Sequence, residues 1–171
     1  LQFLLEKFEP THSSPKSFNN HYGVPLSLAN LNQSHKFGIF EVGMNKPGEI
    51  HNLSKMIKPN LAIITNIAEA HIENFKNLKG IAKAKSEIID NVKRDGTIIL
   101  NRDDKFFSYL SKKAKYNKLK IISYGKSKNS DVHLVKTNIM RDEKELTVKV
   151  FSKKYIFRIN DINIYNVLAS L

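Results

Sequence analysis

Between residues 36 and 124, short apolar runs alternate with segments whose apolar residues recur at helical spacing, and this alternation does most to limit the fold. The runs 36–41, 61–66, 97–101 and 119–124 read as strands, the first of a buried type. Between them 48–57, 78–92 and 104–116 read as helices, the last with Asp103 or Asp104 near its N-cap. Strands separated by helices of this length imply βαβ units, hence an α/β fold with a mostly parallel sheet flanked by helices. The final third changes period. Stretches 131–138, 145–151 and 154–159 alternate apolar and polar residues around short polar turns such as 141–144, the pattern of an antiparallel β-meander appended to the sheet.

The ends are less regular. Residues 1–8 read as the close of a helix with no N-cap before it, and 11–20 as a polar loop. Residues 24–31 read as a short helix with Pro25 in its first turn, where a missing N–H costs little. Asn163 opens a helix that the chain leaves unfinished at residue 171. The expected layout is therefore an excerpt truncated at both ends. Its parallel part is 1–128, its antiparallel strands are 129–160, and 161–171 begins a helix.

A length of 171 residues is about one domain, enough for a sizeable core. No run approaches the ~20 apolar residues of a membrane helix, so membrane insertion is not expected. The absence of cysteine excludes disulfides and thiolate metal sites, and fits a reducing cytoplasmic setting. A net charge of +12 raises a nucleic-acid reading. The lysines, however, are spread along the chain among asparagines and isoleucines, without an arginine cluster or interleaved aromatics. Nucleic acid is set aside as a partner on that ground. The milder consequence is attraction of anionic substrates such as nucleotide phosphates.

Strands of an open α/β sheet deliver ligands from their carboxyl ends. Glu41 closes one strand, and His71 follows another. Lys85 lies four, three and four residues from Ile81, Ile88 and Ile89, so its stem follows the apolar side of a helix whose solvated face takes Lys83. These three are the candidate set for holding a metal ion beside a phosphate. Carboxylate and neutral imidazole are both metal ligands. A lysine held among apolar groups can lose its proton and take up CO₂ as a carbamate. Each residue also has an ordinary reading: a solvated strand-end glutamate, a polar loop histidine, a lysine on a wet helix face. Asn19 and Asn20 make an ordinary turn unless a ligand needs their amides. Asn163 and Asn166, one helical turn apart, present two amides to a planar base, or else Asn163 caps the helix.

Taken in order, these residues resemble a known family. Glu41-Val-Gly-Met-Asn-Lys-Pro-Gly-Glu-Ile50, Ile64-Thr-Asn-Ile-Ala-Glu-Ala-His71, Gly80-Ile-Ala-Lys-Ala-Lys-Ser-Glu-Ile88, Asn101-Arg-Asp-Asp104 and Asn163-Ile-Tyr-Asn166 resemble the central domain of the Mur ligases. Asn19-Asn-His-Tyr-Gly-Val-Pro-Leu26, with the blocks at 45–50 and 70–73, resembles the branch that adds D-alanyl-D-alanine to UDP-N-acetylmuramoyl-tripeptide. The resemblance implies a monomeric ATP- and Mg²⁺-dependent amide ligase of peptidoglycan precursor synthesis, working through an acyl phosphate. It implies that Glu41 and His71 bind Mg²⁺ and that Lys85 is the lysine carbamylated in several members. It further implies that Asn163 and Asn166 border the adenine, and that Asn19, Asn20 and Asn45 meet substrate.

The sequence departs from the family at several points. Asn160-Asp-Ile-Asn163 stands where Gly-x-His-Asn is usual, Lys46 where histidine is usual, and Asn74 where glycine is usual. No G-x-x-x-x-G-K-[ST] phosphate loop occurs. The resemblance thus implies that the N-terminal UDP-substrate domain, the phosphate loop and the C-terminal domain are missing, and that the excerpt alone is inactive. Alternatives are another Mur ligase or a folylpolyglutamate synthase, a non-catalytic relative kept as a scaffold, and a basic nucleic-acid-binding module.

Overall fold

The computed structural model describes residues 1–69, 74–141, 143–160 and 162–171, which fall into two compact units. The first unit comprises Leu1–Pro59 and Glu69–Asn91, and the second Asn60–Ala68 and Val92–Leu171.

The first unit holds α1 (Gln2–Leu5), β1 (Thr11–Ser13), α2 (Gly23–Ala29), β2 (Phe37–Ile39), α3 (Glu49–Ile57) and α4 (Leu78–Lys85). A 3₁₀ segment, Ser86–Asn91, continues directly from α4. Three expectations change here. The polar loop expected at 11–20 contains a strand, since β1 pairs in parallel with β2, Thr11 opposite Phe37 and Ser13 opposite Ile39. Three residues are too few to show a period, and their partner lies far along the chain. The strand expected at 36–41 shrinks to three residues and is not buried, because Phe37 and Gly38 are exposed. The helix expected at 78–92 tightens after Lys85. There Ser86 donates its hydroxyl to the Lys83 carbonyl (2.7 Å), and Asn91 bonds the Ser54 hydroxyl (2.9 Å) and the His51 carbonyl (3.1 Å) of α3. Short i→i+3 turns at a helix end are a common way of meeting such side contacts.

The second unit is a six-stranded sheet in sequential order: β3 (Leu61–Ile64), β4 (Thr97–Asn101), β5 (Lys120–Gly125), β6 (Val132–Ile139), β7 (Lys144–Val150) and β8 (Lys153–Ile159). Strands β3 to β6 are parallel, and β6, β7 and β8 are antiparallel. The mostly parallel sheet with its terminal meander thus forms as its periodicities foretold. Helix α5 (Phe107–Tyr116) links β4 to β5 and buries Leu110 and Ala114. Helix α6 (Ile164–Ser170) sets Leu168 into a core with Tyr124, Val132, Leu146, Val148 and Ile159. Truncating any of these large apolar side chains to alanine typically costs about 2–5 kcal/mol. Helix α5 starts three residues later than expected. Asp104 precedes it and bonds the Phe106 amide (2.8 Å) and the Ile67 amide (3.1 Å), so it joins two loops instead of capping at the N-cap position.

Candidate functional site

In the first unit the stretch from Glu41 to Gly48, which links β2 to α3, is fixed at both ends. At its start Asn19 donates its side-chain amide to Glu41 Oε1 (2.9 Å), and the Gly43 amide donates to the Asn19 carbonyl (2.7 Å). Gly43 is needed for this approach: a Cβ there would lie 2.9 Å from the Asn19 side chain. Glu41 is exposed, and its other oxygen has no partner among the described residues. At the far end Glu49 accepts the amides of Asn45 and Lys46, which hold its carboxyl below the usual range. Glu87 accepts the amides of Gly48 (2.8 and 3.1 Å) and His51 (3.1 Å). A carboxylate at a helix N-terminus satisfies orphan donors and suits the helix dipole.

Lys85 ends α4, half-buried between the buried Ala84 and Ser86, while Lys83 is exposed as expected. Two residues later Glu87 clasps the start of α3, so the backbone bearing Lys85 is anchored through its own neighbour. Helix α4 begins at Asn77, whose side chain accepts the Gly80 amide (3.0 Å). A Cβ at Gly80 would lie 2.2 Å from the Phe75 carbonyl oxygen, so glycine is required there.

Of the candidate metal set, Glu41 and Lys85 lie in this unit, and His71 lies outside the described residues. Among the described residues no three His, Cys, Asp or Glu side chains cluster as a metal cage. Mg²⁺ does not demand one, since it keeps several waters and commonly takes one or two carboxylates plus phosphate oxygens. The exposed, oriented carboxylate of Glu41 fits that donor set. The side-chain oxygen of Asn20 accepts the Tyr22 (3.0 Å) and Gly23 (2.9 Å) amides and so shapes the entry to α2. Asn45 is fixed through its backbone.

In the second unit Asn163 is the N-cap of α6, its side chain accepting the Tyr165 amide (2.9 Å), and Asn166 is exposed one turn on. The capping reading of Asn163 is thus observed, through its side-chain oxygen. Asp103, one of the two residues expected near the N-cap of α5, binds the turn after β5 through the amides of Lys126 and Ser127, and accepts the Tyr165 hydroxyl (3.2 Å). Burial and the neighbouring Asp103 raise the Tyr165 phenol above its ordinary pKa. Sequence reasoning missed Glu87 and Asp103 as anchors. The only local signal was a carboxylate within a motif.

Comparison with known proteins agrees with the motif order. A family model described as the Mur ligase middle domain matches residues 2–171. A curated relative from Buchnera aphidicola subsp. Acyrthosiphon pisum, UDP-N-acetylmuramoyl-tripeptide–D-alanyl-D-alanine ligase, is 41% identical over 128 residues, 75% of this chain. The chain spans only 28% of that relative's length. A crystal structure of MurF from Acinetobacter baumannii superposes with TM-score 0.89 at 28% identity, covering 98% of this chain and 36% of that one. The MurF ligase of Thermotoga maritima, solved with ADP, shares the fold at TM-score 0.86 and 23% identity over 98% of this chain and 39% of that one. With the whole of 2–171 matched and the same mixed sheet recovered, this chain belongs to the Mur ligase family, as a middle domain.

Proposed function

We propose that this chain is the central part of an ATP-dependent ligase that joins D-alanyl-D-alanine to UDP-N-acetylmuramoyl-tripeptide. One observation carries the reading: the segment from Glu41 to Gly48 is pinned by Asn19, Glu49 and Glu87 yet leaves a carboxylate oxygen of Glu41 open. Preorganised groups of this kind act without reorganisation cost as charge develops. The tripeptide's terminal carboxylate takes the γ-phosphoryl group of ATP with release of ADP, the dipeptide amine attacks the resulting acyl phosphate, and phosphate departs as the amine gives up a proton. Glu41 and His71 would hold Mg²⁺, which would supply positive charge to offset that of the reacting phosphate and carboxylate. Lys85, held half-buried, supplies a further anionic ligand if it takes up CO₂. Asn19 keeps Glu41 aimed. Asn45 and Asn20 line the substrate path, and Asn163 with Asn166 borders the adenine. The remaining domains, including a phosphate loop, lie outside this chain in the whole protein.

The test is acceptor-dependent phosphate release by the whole protein. D-alanyl-D-alanine is expected to drive it, and a diamino acid or glutamate is not. Turnover with either of the latter instead would replace this reading with another Mur ligase or a folylpolyglutamate synthase. Glu41→Ala should lower kcat at least ~10²-fold, the scale for losing one preorganised charge-stabilising group. Lys85→Arg should fail to restore what Lys85→Ala loses, because a guanidinium stays charged and forms no carbamate.

A further inference from the structure

Three lysines of the meander, Lys136, Lys149 and Lys154, meet on one side of it. Leu146 and Val148 of β7 point into the core with Leu168, so the residues between them point to the opposite face. Strand register then lays three cross-strand rows on that face: His133–Lys149–Lys154, Lys136–Thr147–Ile156 and Asn138–Glu145–Arg158. A bulge between Leu134 and Lys136 puts Lys136 on this side. Glu145 is the one acid in these rows, and it is already engaged by Arg158 (3.7 Å) and Asn138 (3.2 Å). Among the described residues, Lys136, Lys149 and Lys154 have no carboxylate partner.

Like charges directly opposite one another on neighbouring strands are destabilising, yet Lys149 sits opposite Lys154. Lysines on an edge strand guard against unwanted pairing, which accounts for Lys154 on β8. That account does not reach Lys149 or Lys136, which lie on the inner strands β7 and β6. The unbalanced face therefore fits an anionic partner. Single-stranded nucleic acid would need stacking aromatics, but Tyr155 and Phe157 alternate to the other face. Among the described residues, helix α5 packs chiefly against β4 and β5, away from the meander, and so offers this face no helix for a duplex groove. Thr147 holds the centre of the face, and beside it on the edge strand stands an exposed isoleucine, Ile156 (66% accessible). Flexible lysine stems around an exposed aliphatic side chain suit the headgroup zone of a bilayer.

We propose that this face docks the protein on an anionic lipid surface. The experiment is co-sedimentation of the whole protein with phosphatidylcholine vesicles, with and without phosphatidylglycerol. Binding is expected only to the anionic vesicles and should weaken as salt rises. Each basic residue near such a surface contributes about fivefold in partitioning, from roughly 1 kcal/mol apiece. Lys149→Gln with Lys154→Gln should thus lower partitioning about 30-fold while leaving ligation unchanged, and Lys→Arg at both positions should retain it. No binding at low salt, equal binding by the glutamine variant, or tighter binding to single-stranded RNA would each overturn the proposal.

Discussion

Tyr124 shows how one buried phenol ties packing to pH. Its ring fills the core of the second unit, and its hydroxyl donates to the Thr65 carbonyl (2.8 Å). Burial, aided by Asp104 and Tyr165, pushes its pKa up to about 12 from 10.0. The native state therefore keeps a proton that the unfolded chain gives up near pH 10, so this group's stabilisation is complete below pH 10 and is lost as pH climbs through about 12. Denaturant midpoints at pH 9 and 11 should show Tyr124→Phe less stable than the parent at pH 9, by about 1 kcal/mol for the lost hydrogen bond, with the gap narrowing at pH 11. A constant gap would remove Tyr124 from the titration. Gly80 makes a different demand. Gly80→Ala must move backbone, not a flexible side chain, since the Phe75 carbonyl blocks the new methyl. A loss of roughly 1–3 kcal/mol in unfolding free energy is expected, the usual scale of overpacking. Tyr124 was legible in the sequence as strand apolarity, but the Thr65 bond and the Phe75 clash were not, because neither has a sequence period.

At the scale of elements, the carboxylates that close helices and turns carry the organisation. Glu87 holds the first amides of α3 across 39 and 36 residues of chain, and Asp103 fastens the turn after β5 across 23 and 24. Glu87→Gln keeps the shape but removes the charge facing the helix N-terminus. It should cost about 1–2 kcal/mol, read as a lower thermal midpoint, and should raise proteolysis between β2 and α3. Unchanged protection would mean that Asn19 and Glu49 suffice to fix that segment. Helix and strand types were readable from 36 to 124 because 3.6- and 2-residue periods are local properties. Errors gathered where a partner elsewhere intervened. Strand β1 exists through β2, and α4 tightens where Asn91 reaches α3.

For the whole molecule, the family match extends over residues 2–171, while the Buchnera relative is matched over only 28% of its length. The isolated 171-residue chain is therefore expected to release no phosphate under conditions where the whole protein turns over. Acceptor-dependent release by the isolated chain would refute the assignment of phosphate handling to a segment outside it. The sequence by itself determined the alternation of strands and helices, the antiparallel ending and the order of motifs that identifies the family. Those features depend on local period and residue identity. Only the tertiary structure decided that Glu87 and Asp103 are anchors and that Lys136, Lys149 and Lys154 share one face. Each depends on register and on partners far along the chain, which the order of residues does not display.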